Sequence, residues 1–435
     1  MIFRARYLVP VSRPPVEDGA LVIGDGRVLW AGSWADCRRH FAGPSIDLGA
    51  TAILPGLVNA HCHLDYTDMA GLIPPPKGFS EWIHGILALK QEWTDADYRT
   101  SWHRGADMLL ASGTTTVADI EVVPNLLPDC WRTTGLRVHS FLEMTCVRAG
   151  ASARDVLEQT TRKAETLLAM GGGEVGLSPH APYSTNAALL RQSAERARIR
   201  EWRVMTHVAE SEEEFDMFHA AGGEMYEWLK RSGRSMDDCG LGTPVHTIAR
   251  AGLLNPRFTA VHANYLLESD IRLLAESGAG VVHCPRSHGY FRHRPFDWRA
   301  LRAAGVPLAL GTDSLATVRR PIGKPLELNM FVELRAASAA EPDWQPADLL
   351  ECATLGGARV LGRSASIGTL EEGKHADFVA VAATEPMERL LESIVRDVPR
   401  VEGVWIGGKG MFSIGNLGTE ISGEDAGEEG ASARR

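Results

Sequence analysis

Apolar and polar positions follow two different rhythms along this chain, and the change of rhythm divides it. Residues 1–51 read as short strands: Leu21-Val22-Ile23, then the turn Gly24-Asp25-Gly26, then Arg27 to Trp30 and Ala31-Gly32. Asp-Gly between apolar runs signals a tight turn, because the central positions of such a turn need φ > 0. The same texture returns in Ile367 to Leu370, Ala376 to Val381 and Val401 to Ile406. The two β-rich ends, 1–51 and 366–415, therefore predict one small β-sandwich domain assembled from both termini.

Residues 52–365 behave differently. Short β-branched or Leu-rich runs alternate with long helical patterns, the βαβα signature of a parallel sheet covered by helices. Eight candidate strands end near His61 (from Ile53), Ile120 (from Thr114), Glu143 (from Arg137), His180 (from Glu174), His207 (from Arg203), His262 (from Phe258), His283 (from Ala279) and Asp313 (from Pro307). Eight strands close a barrel. The expected class is α/β: a (β/α)8 TIM barrel with the terminal β-sandwich attached. The stretch between His207 and His262 is longer than one helix needs and predicts an extra helix or loop over the mouth. Residues 416–435 are small, acidic and poor in apolar side chains, which predicts a disordered tail.

Composition narrows the function classes. A chain of 435 residues with 44% apolar content has ample material for a core. The net charge is −10 and the Lys and Arg residues are scattered, so no basic field is available for a phosphate backbone and nucleic acid is excluded as a natural partner. Met1 to Pro15 places Arg4, Arg6 and Arg13 among short apolar runs, without the ~7–15 residue apolar core of a signal peptide, and no ~18-residue uncharged stretch occurs. The expectation is a cytoplasmic protein with no membrane partner, compatible with a homo-oligomer and acting on a small molecule. Seven cysteines, an odd number without a CxxC pair, are expected reduced and mostly buried.

Strand C-termini converge on one face of a barrel, and functional groups there are usually catalytic. Six of the eight predicted strands end in or near His or Asp. His61-Cys62-His63 closes the first; alternation at period two points residues 61 and 63 the same way and Cys62 the other, so two imidazoles share one metal and Cys62 stays out. His207, in Thr206-His207-Val208-Ala209-Glu210, is a histidine ligand with a non-ligand carboxylate three residues on, which suits a metal-activated water and its proton shuttle. Asp313, in Leu310-Gly311-Thr312-Asp313-Ser314, completes the metal shell; the competing reading is a helix N-cap, a role open to Ser314. His283 reads equally well as a buried structural histidine.

The runs PGLVNAHCHLD, LSPHAPYS, THVAE, VHANYL, HCPRSH and LALGTDS, in that order, resemble the amidohydrolase superfamily, in its cytosine deaminase-like branch with the triazine (ATZ/TRZ) chlorohydrolases and the guanine and S-adenosylhomocysteine deaminases. The similarity spans about residues 1–410 and includes the GTLEEGKHADFVAV run of that branch's β-sandwich. The resemblance implies His61, His63, His207 and Asp313 as ligands of one divalent ion, Zn2+ or alternatively Fe2+. It implies Glu210 as proton shuttle, His262 as the residue orienting the attacking hydroxide beside Asp313, and His180 as a substrate contact. Binuclear relatives use a carbamylated lysine after strand four, and no lysine occurs from Gly171 to Met205, so one metal is expected.

Two departures stand out: His288 where most relatives have Asn, and Gln91 and Glu92, which do not reproduce the acidic ribose contact of nucleoside deaminases. Arg286 and His288, with His293, form a basic cluster expected either to face a substrate group or to sit in a solvated loop. The implied reaction is hydrolytic deamination of an aminated heterocycle, an adenine-type nucleoside or related purine. Chloride displacement or amide-ring opening on the same atoms is the second enzymatic reading, and a binding protein with lost chemistry is the reading from another class.

Overall fold

The computed structural model describes residues 1–74, 76–148, 150–319 and 326–413. The acidic run 416–435 lies outside them. Both ends of the chain build one eight-stranded sheet, in the order Lys409–Ser413, Val401–Ile406, Phe378–Ala382, Thr51–Pro55, Ile2–Leu8, Val16–Gly24 and Arg27–Ser33, with Ser45–Asp47 paired beside Ile2–Leu8. Its central strands are buried on both faces. Phe378 and Ala380 pack with Phe3, Ile53 and Trp405, whereas Val379 and Val381 face the large cluster that underlies the barrel, as the two-residue period of a strand requires.

The second sheet is the barrel. Eight strands follow one another in sequence order: Leu57–Cys62, Thr114–Glu121, Arg137–Met144, Glu174–Pro179, Val204–Val208, Phe258–His262, Gly280–His283 and Leu308–Leu310. Every consecutive pair is parallel. Closure comes from the last and first strands, where Asp313 N donates to the His61 carbonyl at 3.2 Å and Cys62 bridges Asp313 in parallel. The (β/α)8 barrel is thus the observed architecture. All seven cysteines are buried and unpaired, and among the described residues no helix is long and apolar enough to cross a membrane.

One expected strand is in fact two. The apolar run from Ile53 to His61 divides at Gly56: Thr51–Pro55 belongs to the terminal sheet, pairing with Phe378–Ala382, and only Leu57–Cys62 enters the barrel. The 51/52 boundary therefore falls inside a strand of the terminal sheet, and the chain changes sheets five residues later than expected. Pro55 has no N–H to continue a ladder, and Gly56 passes so close to the second barrel strand that a Cβ would lie 2.2 Å from Thr115 Oγ1. Apolarity is continuous across this junction, so periodicity alone does not reveal it.

The stretch after the fifth barrel strand holds three helices, Glu212–Ala220, Glu224–Arg231 and Pro244–Arg250, which answers the expectation of extra structure there. Gly56→Ala forces a methyl against Thr115 and is expected to cost about 1–3 kcal/mol by overpacking, read as a lower midpoint in denaturant unfolding; an unchanged midpoint removes the close-approach account of this junction.

Candidate active site at the barrel mouth

The first and eighth strands are stitched side chain to backbone before any chemistry is considered. Asn59 Nδ2 donates to Thr312 Oγ1 at 2.7 Å and Thr312 N donates to Asn59 Oδ1 at 3.0 Å, both groups fully buried. Residues 253 apart in sequence are joined this way, and the next residue, Asp313, swings over the mouth. Its φ is 52°, and His262 at the end of the sixth strand has φ 72°. Both are left-handed conformations that cost a non-glycine residue roughly 1–2 kcal/mol and that persist where surrounding structure over-determines them.

Six side chains converge there. His63 Nε2 and His207 Nε2 are 3.3 Å apart, His61 Nε2 and His63 Nε2 lie 3.6 and 3.8 Å from Asp313 Oδ1, and His262 Nε2 is 3.4 Å from Glu210 Oε1. Donor atoms of His61, His207 and His262, of His61, His63 and Asp313, and of Glu210, His262 and Asp313 fall within 4.8 Å of one another in each set. Cys62 points away, its thiol accepting from Thr312 Oγ1 at 3.4 Å.

The electrostatics suit a cation. Burial, reinforced by neighbouring imidazoles, lowers His63 and His262 to about 3 and His207 well below its ordinary value, so these rings are neutral and can offer lone pairs. His207 Nδ1 donates to the His180 carbonyl at 2.9 Å, which leaves Nε2 as the free lone pair. Both ring nitrogens of His61, Nδ1 of His63 and Nε2 of His262 are buried without a hydrogen-bond partner, a cost of about 1–3 kcal/mol per group unless another centre takes the lone pairs. Burial raises the Asp313 carboxyl, but the His61 ring 3.6 Å from its Oδ1, with the His262 and His63 rings beside it, outweighs burial and holds it well below the usual range. Glu210 is driven the other way, well above the usual range, by burial and then by Asp313 and Glu214. A nitrogen- and oxygen-rich donor set with these orphaned lone pairs fits a divalent ion.

Compared with known proteins, residues 52–411 match the amidohydrolase family. This chain belongs to that family. It is 29% identical over 398 residues to a 5-methylthioadenosine/S-adenosylhomocysteine deaminase of Desulforudis audaxviator, covering 89% of this chain and 86% of the relative. It is 30% identical over 361 residues to an aminodeoxyfutalosine deaminase of Deinococcus radiodurans, covering 79% and 81%. A zinc-bound adenosine deaminase from Xanthomonas campestris superposes with a TM-score of 0.80 at 27% identity, covering 95% of this chain and 92% of that one. The amidohydrolase family is metal-dependent, in keeping with the donor set.

Not every expected contact reaches this amidohydrolase's cavity, a space of about 250 Å3 above the cluster. His180 does, its Nδ1 held 2.7 Å from Ser184 Oγ. Arg286 is corrected: its Nε and backbone N bond the buried Glu333, so its guanidinium is committed to the helix Met330–Ala340 and, among the described residues, it does not line the cavity. His288 is likewise absent from the lining; its Nδ1 donates to Asn264 Oδ1 at 3.0 Å, and Asn264 Nδ2 donates to the Glu210 carbonyl at 2.9 Å. The expected substrate contact is thus a brace behind Glu210. His283 stacks on Phe296 at 4.0 Å, the structural alternative.

Sequence reasoning overlooked Glu143 and Lys90, which face the cavity with Lys90 Nζ 3.6 Å from Glu143 Oε1 and 2.7 Å from Tyr66 OH. Burial raises the Glu143 carboxyl, but Lys90, then His180 and His63, outweigh it and keep it below the ordinary value. Glu143 ends the third barrel strand, so the strand-terminus rule already pointed to it; nothing marked Lys90. The Lys90 helix, Phe79–Glu92, lies over the mouth with its N-terminus capped by Glu213, whose oxygens accept from Phe79 N at 2.7 Å and Ser80 N at 2.9 Å. Asn59→Ala strands the Thr312 N–H in a dry seam and is expected to cost about 1–3 kcal/mol and to loosen metal retention; melting temperature and metal content after dialysis check it, and a variant matching wild type in both dissolves the proposed link between seam and site.

Proposed function

We propose that this protein is a metal-dependent hydrolytic deaminase acting on an aminated heterocycle, an adenine-type nucleoside or related purine, with one ion held by His61, His63, His207 and Asp313. The observation that carries the reading is the buried Glu210 carboxyl, set 3.4 Å from His262 at the edge of that donor cluster and raised above its ordinary value by burial and by Asp313. Zn2+ is the favoured ion, supported by the neutral imidazoles and single carboxylate of the donor set and by the zinc-bound relative; Fe2+ is the alternative. A divalent ion there supplies Lewis acidity and brings the pKa of a water from 15.7 toward ~7. With no lysine between Gly171 and Met205, and Lys90 engaged by Tyr66 and Glu143, a lysine-bridged pair of ions has no support.

The protein's own groups then divide the work. Glu210 moves protons: it takes them from the attacking water, delivers one to a ring nitrogen, which makes the adjacent amidine carbon electrophilic, and passes the other to the departing amine, so that both water protons end on the products. His262 and Asp313 accept hydrogen bonds from the attacking oxygen and aim it at that carbon. One C–O bond forms, one C–N bond breaks, and ammonia leaves. His180 packs against His207 with ring centroids 4.7 Å apart and offers Nε2 to the substrate.

Glu210→Gln is expected to keep the metal while losing on the order of 10²–10⁴ in kcat, the usual weight of a positioned acid–base group. His63→Ala and Asp313→Ala are expected to lose both metal and turnover. Elemental analysis of each purified variant, with ammonia release from a panel of aminated purines and pyrimidines, decides the matter; a glutamine variant that turns over near the wild-type rate takes the shuttle role away from Glu210.

A further inference from the structure

Beside the active-site cavity lies a second space of about 250 Å3, and among the described residues the two have no lining residue in common. An aromatic partition separates them. Phe79 and Phe291 line the second space and meet edge-on with ring centroids 5.2 Å apart, while Trp82, which lines the active-site cavity, meets Phe291 at 5.5 Å. The hydrolytic chemistry makes no use of this second space.

Its rim is cationic. Lys77, Arg292 and Arg319 stand exposed around it, and none of the three side chains pairs with a carboxylate among the described residues. By contrast Arg286 and Arg299, before and after this segment, are paired with Glu333 and Glu341. Two carboxylates stand nearby. Glu213 is committed to the first N–H groups of the helix Phe79–Glu92, and Glu212 is exposed at the start of its own helix, Glu212–Ala220. Three cations against one uncommitted carboxylate leave a local excess of positive charge in a chain whose net charge is −10.

Deeper in, the walls are aromatic. Tyr265 is buried, and Tyr290 and Phe291 are half-buried. The helix Pro285–Phe291 ends at Arg292, whose φ of 58° turns the chain, so that the residues on both sides of the turn line the space. Tyr265 OH donates to His293 Nδ1 at 3.2 Å, which leaves the ring proton on Nε2, and that nitrogen is buried without a partner. The volume exceeds the ~150 Å3 that holds a benzene ring. A bare ion bound here leaves the rings uncovered, and a neutral ring leaves the cations unmatched; a ligand with an aromatic body and an anionic head satisfies both.

We propose that this space is a second ligand site, taking an aryl or heteroaryl phosphate monoester with its ring against Tyr265, Tyr290 and Phe291 and its phosphate on Lys77, Arg292 and Arg319. Phosphate offers three terminal oxygens to three separate donors, where a carboxylate has two. The site is independent of the metal and of the deaminase reading. The test is isothermal titration calorimetry on the metal-loaded enzyme with phenyl phosphate, benzoate, inorganic phosphate and benzyl alcohol.

Phenyl phosphate is expected to bind about tenfold or more tightly than inorganic phosphate or benzyl alcohol, and more tightly than benzoate, with an affinity that falls as salt is added. Arg292→Gln and Tyr290→Ala should each weaken it about tenfold, one through the charged head and the other through the ring. His63→Ala and Asp313→Ala, which empty the metal site, should bind it as the wild type does. No heat from phenyl phosphate, or inorganic phosphate binding as well as the aryl ester, overturns the proposal. Benzoate binding as tightly overturns the assignment of phosphate. Binding that survives Arg292→Gln but disappears in the metal-site variants puts the probe on the metal and also overturns it. Should Tyr290→Ala fail to fold, the exposed Arg292→Gln decides.

Discussion

The seam between the first and eighth barrel strands is the constraint on which the rest depends. A parallel sheet of this length has two raw edges, and closing them on one another satisfies both. Here closure uses Asp313 N on the His61 carbonyl and the reciprocal Asn59–Thr312 pair. The same few residues that end the sheet carry the donors: His61 and His63 on one side, Asp313 on the other. The backbone bonds that close the barrel thereby gather a set of buried nitrogen and oxygen donors that could hold a metal ion.

Crowding buried groups in this way has an electrostatic cost that itself makes the chemistry possible. Imidazoles stripped of water favour their neutral form and keep lone pairs to offer. The two carboxyls of the set diverge: Asp313, facing the histidines, is held well below the usual range, while Glu210, buried near Asp313 and Glu214, is pushed well above it. Two acids of the same kind acquire opposite tasks from their neighbours, the general route by which one site supplies both an acceptor and a proton donor. The left-handed backbone at His262 and Asp313 belongs to the same pattern, since strain of this kind survives where the frame is rigid.

Above that rigid floor the mouth is built from elements of a different sort. The helix Phe79–Glu92 is fastened to the helix after the fifth strand by Glu213, which satisfies its first backbone donors. The residue lies three positions beyond Glu210. Glu210 and the cap that sets the cavity's helix thus come from one short segment, and the chain His288–Asn264–Glu210 braces it from behind. The upper cavity wall is accordingly built by helices while the buried cluster of histidines and carboxyls sits at the strand ends, the usual division in this architecture.

Much of this was legible in the one-dimensional pattern. The eight-strand count, the two β-rich ends, and His61, His63, His207, Glu210, His262 and Asp313 at strand termini follow from periodicity, because a strand's facing and its C-terminal end are local properties of the chain. What was not legible needed neighbours distant in sequence. Apolar residues on both sides of Gly56, Ala52 to Pro55 and Leu57-Val58, hid the change of sheet there, which depends on Thr115. Arg286 read either as a substrate contact or as part of a solvated loop, and only packing of the helix Met330–Ala340 brings Glu333 against it. Glu143 stood at a strand end in plain view, but its partner Lys90 arrives on a helix whose placement rests on a cap from Glu213. The sequence by itself determined the fold class and set the candidate donors at strand ends, since both are written in local spacing. Which charges are left free to meet a substrate was decided by the tertiary structure alone, because a charge is free or neutralised only according to what packs against it.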